Sequence, residues 1–170
     1  VDISEGVPRR LTTGARDVEG VTNGVADYCA MEEMDRYEGF WLSPKGDRVC
    51  FEQVDETDVK LISIPRPGDA ADPGAAEEHR YPFSGATNPS VKLGVVGVSG
   101  GDVAWLDLTK AGLGEDTYLA RVYWASDDTV LACVQSRDQR TMRLVAYDVD
   151  KGTDRVVLEE TNKAWLNLND

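Results

Sequence analysis

Apolar residues in this chain recur in short runs bounded by turn residues, and they seldom keep the three-to-four spacing of an amphipathic helix. Gly39-Phe-Trp-Leu leads into Ser43-Pro-Lys-Gly-Asp47 and then Arg48-Val-Cys-Phe-Glu-Gln-Val54. Proline fixes φ and glycine supplies positive φ in the middle stretch, so the flanking runs are expected to fold back on each other. Ala120-Arg-Val-Tyr-Trp-Ala-Ser126, the turn Asp127-Asp128 and Thr129-Val-Leu-Ala-Cys-Val-Gln135 repeat the arrangement. Trp41 then matches Trp124, Ser43 matches Ser126 and Cys50 matches Cys133, at an offset of 83 residues.

The second copy continues through Met142-Arg-Leu-Val-Ala-Tyr147, the turn Asp148–Asp154 and Arg155-Val-Val-Leu158. Four strands in roughly 40 residues, with an aromatic on the innermost one, is the period of a β-propeller blade. The first copy has the same inner pair over 39–54 and an outer pair expected at Val91–Val98 and Val103–Leu108. Between these lie a strand at Val59–Ile64 and a Pro-, Gly-, Ala- and Asp-rich loop over Pro65–Glu78, an insertion of about 40 residues into one blade. Arg9-Arg-Leu-Thr12 reads as the outer strand of a preceding blade, and Tyr28–Tyr37 as a short helical turn ahead of the first full blade. The expected fold is therefore all-β: a partial β-propeller of two four-stranded antiparallel blades plus a partial one, with a short helical insertion. The expected divisions are 1–36, 37–109 with its insertion at 55–90, and 110–170.

The chain has 170 residues and a formal charge of −13, which disfavours nucleic acid and anionic lipid as partners. Apolar stretches such as Leu93–Val98 fall far short of the roughly 20 residues of a membrane-spanning helix. Val1-Asp-Ile-Ser-Glu5 has neither the basic patch nor the apolar segment of a secretory leader. The three cysteines, Cys29, Cys50 and Cys133, cannot close a full disulfide set, which favours a cytoplasmic setting. Cys50 and Cys133 sit in apolar runs and are expected to be buried. With His79 the sole histidine, there is no metal-ligand spacing, and neither metal nor cofactor is expected.

Two motifs resolve into turns. Gly97-Val-Ser-Gly-Gly101 has the spacing of a nucleophile elbow, but a strand-like run follows where a helix is required, so neither Ser99 nor a base role for His79 is supported. Asp148-Val-Asp-Lys-Gly-Thr-Asp154 resembles a calcium loop, with glycine one place early and strands on both sides. The adjacent acids Glu32 and Glu33 read either as solvated surface or as a cation site. Two carboxylates held together repel unless a cation lies between them, and an ammonium, with three donors and no acceptor, satisfies two or three carboxylate oxygens. A peptide N-terminus is such an ammonium.

Asp27-Tyr-Cys-Ala-Met-Glu-Glu-Met-Asp-Arg-Tyr-Glu-Gly-Phe-Trp-Leu-Ser-Pro-Lys-Gly46 resembles the Glu-Glu segment of the dipeptidyl peptidase IV family and the Trp-x-Ser-Pro-x-Gly strand after it. Arg80-Tyr-Pro-Phe-Ser-Gly-Ala-Thr-Asn-Pro-Ser-Val91 is similar to the same family's Tyr-Pro-x-x-Gly-x-x-Asn-Pro-x-Val segment. The resemblance runs from about residue 10 to the end. It implies an N-terminal eight-bladed propeller joined to a C-terminal α/β-hydrolase domain with a Ser/Asp/His triad. It implies release of N-terminal dipeptides with Pro or Ala second, and a role for Glu32 and Glu33 in holding the substrate's α-ammonium. Homodimers through propeller insertions such as 55–80 are also implied. Met31 stands where several relatives carry a third acid, and the arginine that family members supply from an earlier blade is expected in a region outside these residues. No triad can be assembled from these residues, so the piece is expected to be inert alone. A propeller module without peptidase activity is the alternative, and a small β-sandwich with a solvated acidic surface a weaker one.

Overall fold

A computed structural model describes residues 6, 8–68 and 74–168. Its most regular part is a four-stranded antiparallel meander of β8 (Thr117–Trp124), β9 (Thr129–Ser136), β10 (Thr141–Asp148) and β11 (Thr153–Thr161), paired in chain order. Tight turns make each connection, and β9 alternates as a half-buried strand should, with Val130, Ala132 and Val134 on one face and Cys133 and Gln135 on the other. The four strands expected between about 119 and 159 are present, and so is the turn at Asp148–Asp154.

The first sheet uses the same plan with one difference. Its strands are β1 (Val21–Asn23), β2 (Phe40–Leu42), β3 (Arg48–Asp55), β6 (Ser90–Gly97) and β7 (Ala104–Leu106). Both β1 and β2 pair with β3: Asn23 lies opposite Gln53 and Phe40 opposite Phe51. They are two halves of one inner strand, broken at Glu52. There the Gly24 N–H donates to the Glu52 carbonyl at 2.8 Å and the Glu52 N–H donates to the Gly39 carbonyl at 2.7 Å. The helical segment is therefore spliced into the inner strand rather than placed ahead of the blade. A Cβ on Gly39 would collide with the Val25 backbone and lie 2.6 Å from the Gly24 carbonyl carbon, so only glycine lets the two ends of the splice meet.

Where a strand at Val59–Ile64 and a loop over Pro65–Glu78 are expected, β4 (Leu61–Pro65) and β5 (Ala76–Arg80) pair as a separate hairpin. Part of the Pro- and Gly-rich stretch, 69–73, lies outside the described residues. Arg9–Thr12 is not a strand. No described strand offers it a ladder, and it runs irregularly, with the Arg9 guanidinium donating to the Val98 carbonyl at 2.7 Å.

The main core fills the space between the sheets. Cys50, Leu93 and Val95 from the first meet Leu119, Val122, Val130, Ala132, Val134, Val145 and Tyr147 from the second. The repeat-related tryptophans touch here: Trp124 Nε1–H donates to the Trp41 carbonyl at 3.0 Å. On its outer side the first sheet exposes Phe40 and Leu42 along an apolar groove. The two sheets make an open arc of blades, and among the described residues no helix is long and apolar enough to cross a membrane.

Candidate functional site

Asp27 starts the spliced helix α1 (Tyr28–Glu33), its carboxylate accepting from the Cys29 and Ala30 N–H groups at 2.9 and 3.2 Å. The helix was expected to run to Tyr37. It stops earlier because Asp35 adopts φ +50°, a left-handed turn that Asp tolerates better than most residues. Ala30 and Met34 bury against Ala120 and Cys133 of the second sheet.

That seating leaves Glu32 and Glu33 exposed at the helix C-terminal end. They line a cleft of about 580 Å³ together with Tyr37, Arg121, Gln139 and Trp165. Among the described residues neither glutamate forms an ion pair. Two carboxylates at the carbonyl end of a helix, with no basic residue in its last turn, concentrate negative potential where a cation is favoured.

Between the loop, β3 and β8 lies a buried constellation that the spacing of motifs did not reveal. Arg36 is buried, as is Glu52. The guanidinium bonds Glu52 through both nitrogens, Nη1 to Oε2 and Nη2 to Oε1 at 3.3 Å. It also donates to the Glu38 carbonyl at 2.9 Å and to the Leu119 carbonyl at 2.9 Å, and Asp27 Oδ2 lies 3.6 Å away. Its other face packs 5.8 Å from the Trp41 ring centroid. Burial pushes the Glu52 carboxyl up to about 7, against the lowering pull of Arg36. The strand β8 has a bulge here: Leu119 pairs with Val134 and Arg121 with Cys133, leaving Ala120 unmatched. Arg121 returns the grip by donating to the Met34 carbonyl at 2.8 Å and the Ala120 carbonyl at 3.0 Å. One sequence signal pointed this way: Glu52 interrupts an apolar run, and a buried acid needs a cation.

The other candidates fall elsewhere. Ser99 is exposed on the turn joining β6 and β7, with no helix following. His79 sits on the separate β4–β5 hairpin, 3.2 Å from Glu77. Asp148 accepts from Lys151 within its hairpin turn, and among the described residues no cluster of three or more acids, histidines or cysteines is arranged to hold a metal ion. Cys50 and Cys133 are buried, and Cys29 is half-buried with its thiol directed at Asn88 Oδ1, 3.9 Å away. Burial pushes the Cys29 thiol up to about 11 and Cys50 to about 12, so both are poor nucleophiles near neutral pH.

Comparison with known proteins identifies the fold and the family. The family model for the dipeptidyl peptidase IV (DPP IV) N-terminal region matches residues 1–170. The chain is 32% identical over 168 residues to venom dipeptidyl peptidase 4 of Apis mellifera, covering 94% of the chain and 21% of that protein. It is 30% identical over 162 residues to inactive dipeptidyl peptidase 10 of Rattus norvegicus, covering 93% and 20%. The crystal structure of Porphyromonas gingivalis dipeptidyl peptidase 4 superposes with a TM-score of 0.81 at 21% identity, over 91% of this chain and 22% of that one. The chain thus spans about a fifth of the length of the relatives it matches. On the match along its whole length and on its blade architecture, it belongs to the dipeptidyl peptidase IV family, as part of the N-terminal β-propeller.

Proposed function

We propose that this chain is the substrate-anchoring part of a serine-type dipeptidyl aminopeptidase, in which Glu32 and Glu33 hold the α-ammonium of a peptide. The observation that carries this reading is an exposed carboxylate pair without an ion-pair partner among the described residues, lining a cleft on a helix locked to two blades. An ammonium places its three N–H donors on those oxygens as charge-assisted bonds. Two extended residues span at most about 7 Å, so fixing the N-terminus makes the cut fall after the second residue and rejects acylated ends. The gain is in positioning, and the bond chemistry belongs to a C-terminal α/β-hydrolase domain of the same protein. The preferred substrates are Xaa-Pro and Xaa-Ala N-termini, as the family resemblance implies.

The test is kinetic. In the full-length protein, Glu33→Gln raises KM and lowers kcat/KM on a free-amine Xaa-Pro chromogenic substrate, and Glu32→Gln does the same. Unchanged kcat/KM in both variants would refute the anchoring role. A second reading, a propeller module that binds without hydrolysis, is favoured by the 30% identity to a relative named as inactive. No turnover by the full-length protein, alongside retained binding of a free-amine peptide, would select it.

A further inference from the structure

We propose that Arg36 is a positioning residue that fixes the carboxylate pair relative to both blades. It does so by clamping the spliced helix between Glu52 on β3 and the bulged backbone of β8. This rests on the anchoring role of Glu32 and Glu33.

The helix has only six residues, too short to hold its shape on propensity alone. Its ends enter and leave through a stem at Gly24 and Gly39, with Val25 and Glu38 bridged behind them. A hinge at that stem would swing the glutamates across the cleft. Arg36 blocks the swing from three directions. Its bidentate bond to Glu52 ties the loop to the break in the inner strand, its bond to the Leu119 carbonyl reaches the second blade, and Asp27, 3.6 Å away, is the residue that caps α1. The bulge at Ala120 sets the β8 backbone out of register beside the helix, and Arg121 closes the latch in the opposite sense on Met34. A planar guanidinium can satisfy a carboxylate and a carbonyl at fixed angles together, whereas a lysine ammonium is a flexible point charge. Anchor geometry is thereby coupled to the packing of one blade on the next.

The experiment uses the full-length protein and the variants Arg36→Met and Arg36→Lys, with Glu33→Gln as reference. Hydrogen exchange is followed by peptide. The expected result is a rise in exchange at least about tenfold larger in peptides spanning 28–36 than in β9 and β10, and KM for a free-amine Xaa-Pro substrate up about tenfold with kcat changed by less. Arg36→Lys keeps the charge and falls between wild type and Arg36→Met. An equal rise in exchange in 28–36 and throughout both blades would overturn the proposal, because Arg36 would then be a general stabiliser. Unchanged exchange in 28–36 with unchanged KM, while Glu33→Gln still raises KM, would overturn it and leave the anchoring role standing. If Glu32→Gln and Glu33→Gln both leave KM unchanged, the anchoring role fails and the proposal falls with it, even where 28–36 exchanges faster.

Discussion

Residues 52 and 135 occupy the same place in the two blades, 83 positions apart, and both are buried polar side chains two residues beyond a buried cysteine. They differ in what they hold. Gln135 donates one neutral hydrogen bond to the Leu166 carbonyl at 3.2 Å, on the segment that follows β11. Glu52 holds a buried guanidinium in the spliced loop. In both blades this position ties down a segment that lies outside the regular strand ladder. A passing backbone is met with an amide, and the spliced loop with an ion pair.

The contrast can be broken at several points, measured as urea midpoints of the whole propeller domain. Glu52→Leu leaves the Arg36 charge buried without its partner and is expected to cost about 3–5 kcal/mol. pH separates the two positions next. The folded Glu52 carboxyl lies near 7, above its usual value of 4.5, so below about pH 4.5 both folded and unfolded chains hold the proton and nothing is lost. As pH rises toward 7 the unfolded chain releases its proton first, and stability falls across that window. Glu52→Gln flattens that window, and Gln135→Leu leaves its slope in place. Carboxyls held low, such as Asp55 and Asp107, act only at more acid pH, where their contribution is lost as pH falls.

Gly39→Ala forces a methyl into the stem and is expected to cost about 2–3 kcal/mol. Gly152→Ala in the second blade meets no atom and bears only the cost of positive φ, about 1 kcal/mol. Trp124→Phe removes the single bond to Trp41 and likewise costs about 1 kcal/mol.

The second blade was legible because each of its strands pairs with the next through a tight turn, so period and turn chemistry suffice. The first blade hid its inner strand. Val21–Asn23 is a three-residue strand in a Gly-rich stretch, and its continuation at Phe40 meets it only through the shared partner Glu52. No local pattern reports a strand interrupted by its own insertion. Glu32 and Glu33 stood out as adjacent acids in a helical stretch. Arg36 did not, because its partners lie 16 and 83 residues away and only folding brings them together.

The stem at Gly24 and Gly39 has a consequence for how this region can change. Both ends are fixed by hydrogen bonds to one residue of β3, so the sheet sees only where the excursion leaves and returns, and not how long it is. Residues 25–38 then behave as a cassette. Residues can be added or removed between the two glycines without shifting the register of any strand, provided Arg36 keeps its reach to Glu52. Sequence variation between the two glycines can in this way accumulate inside a blade whose hydrogen-bond ladder stays constant.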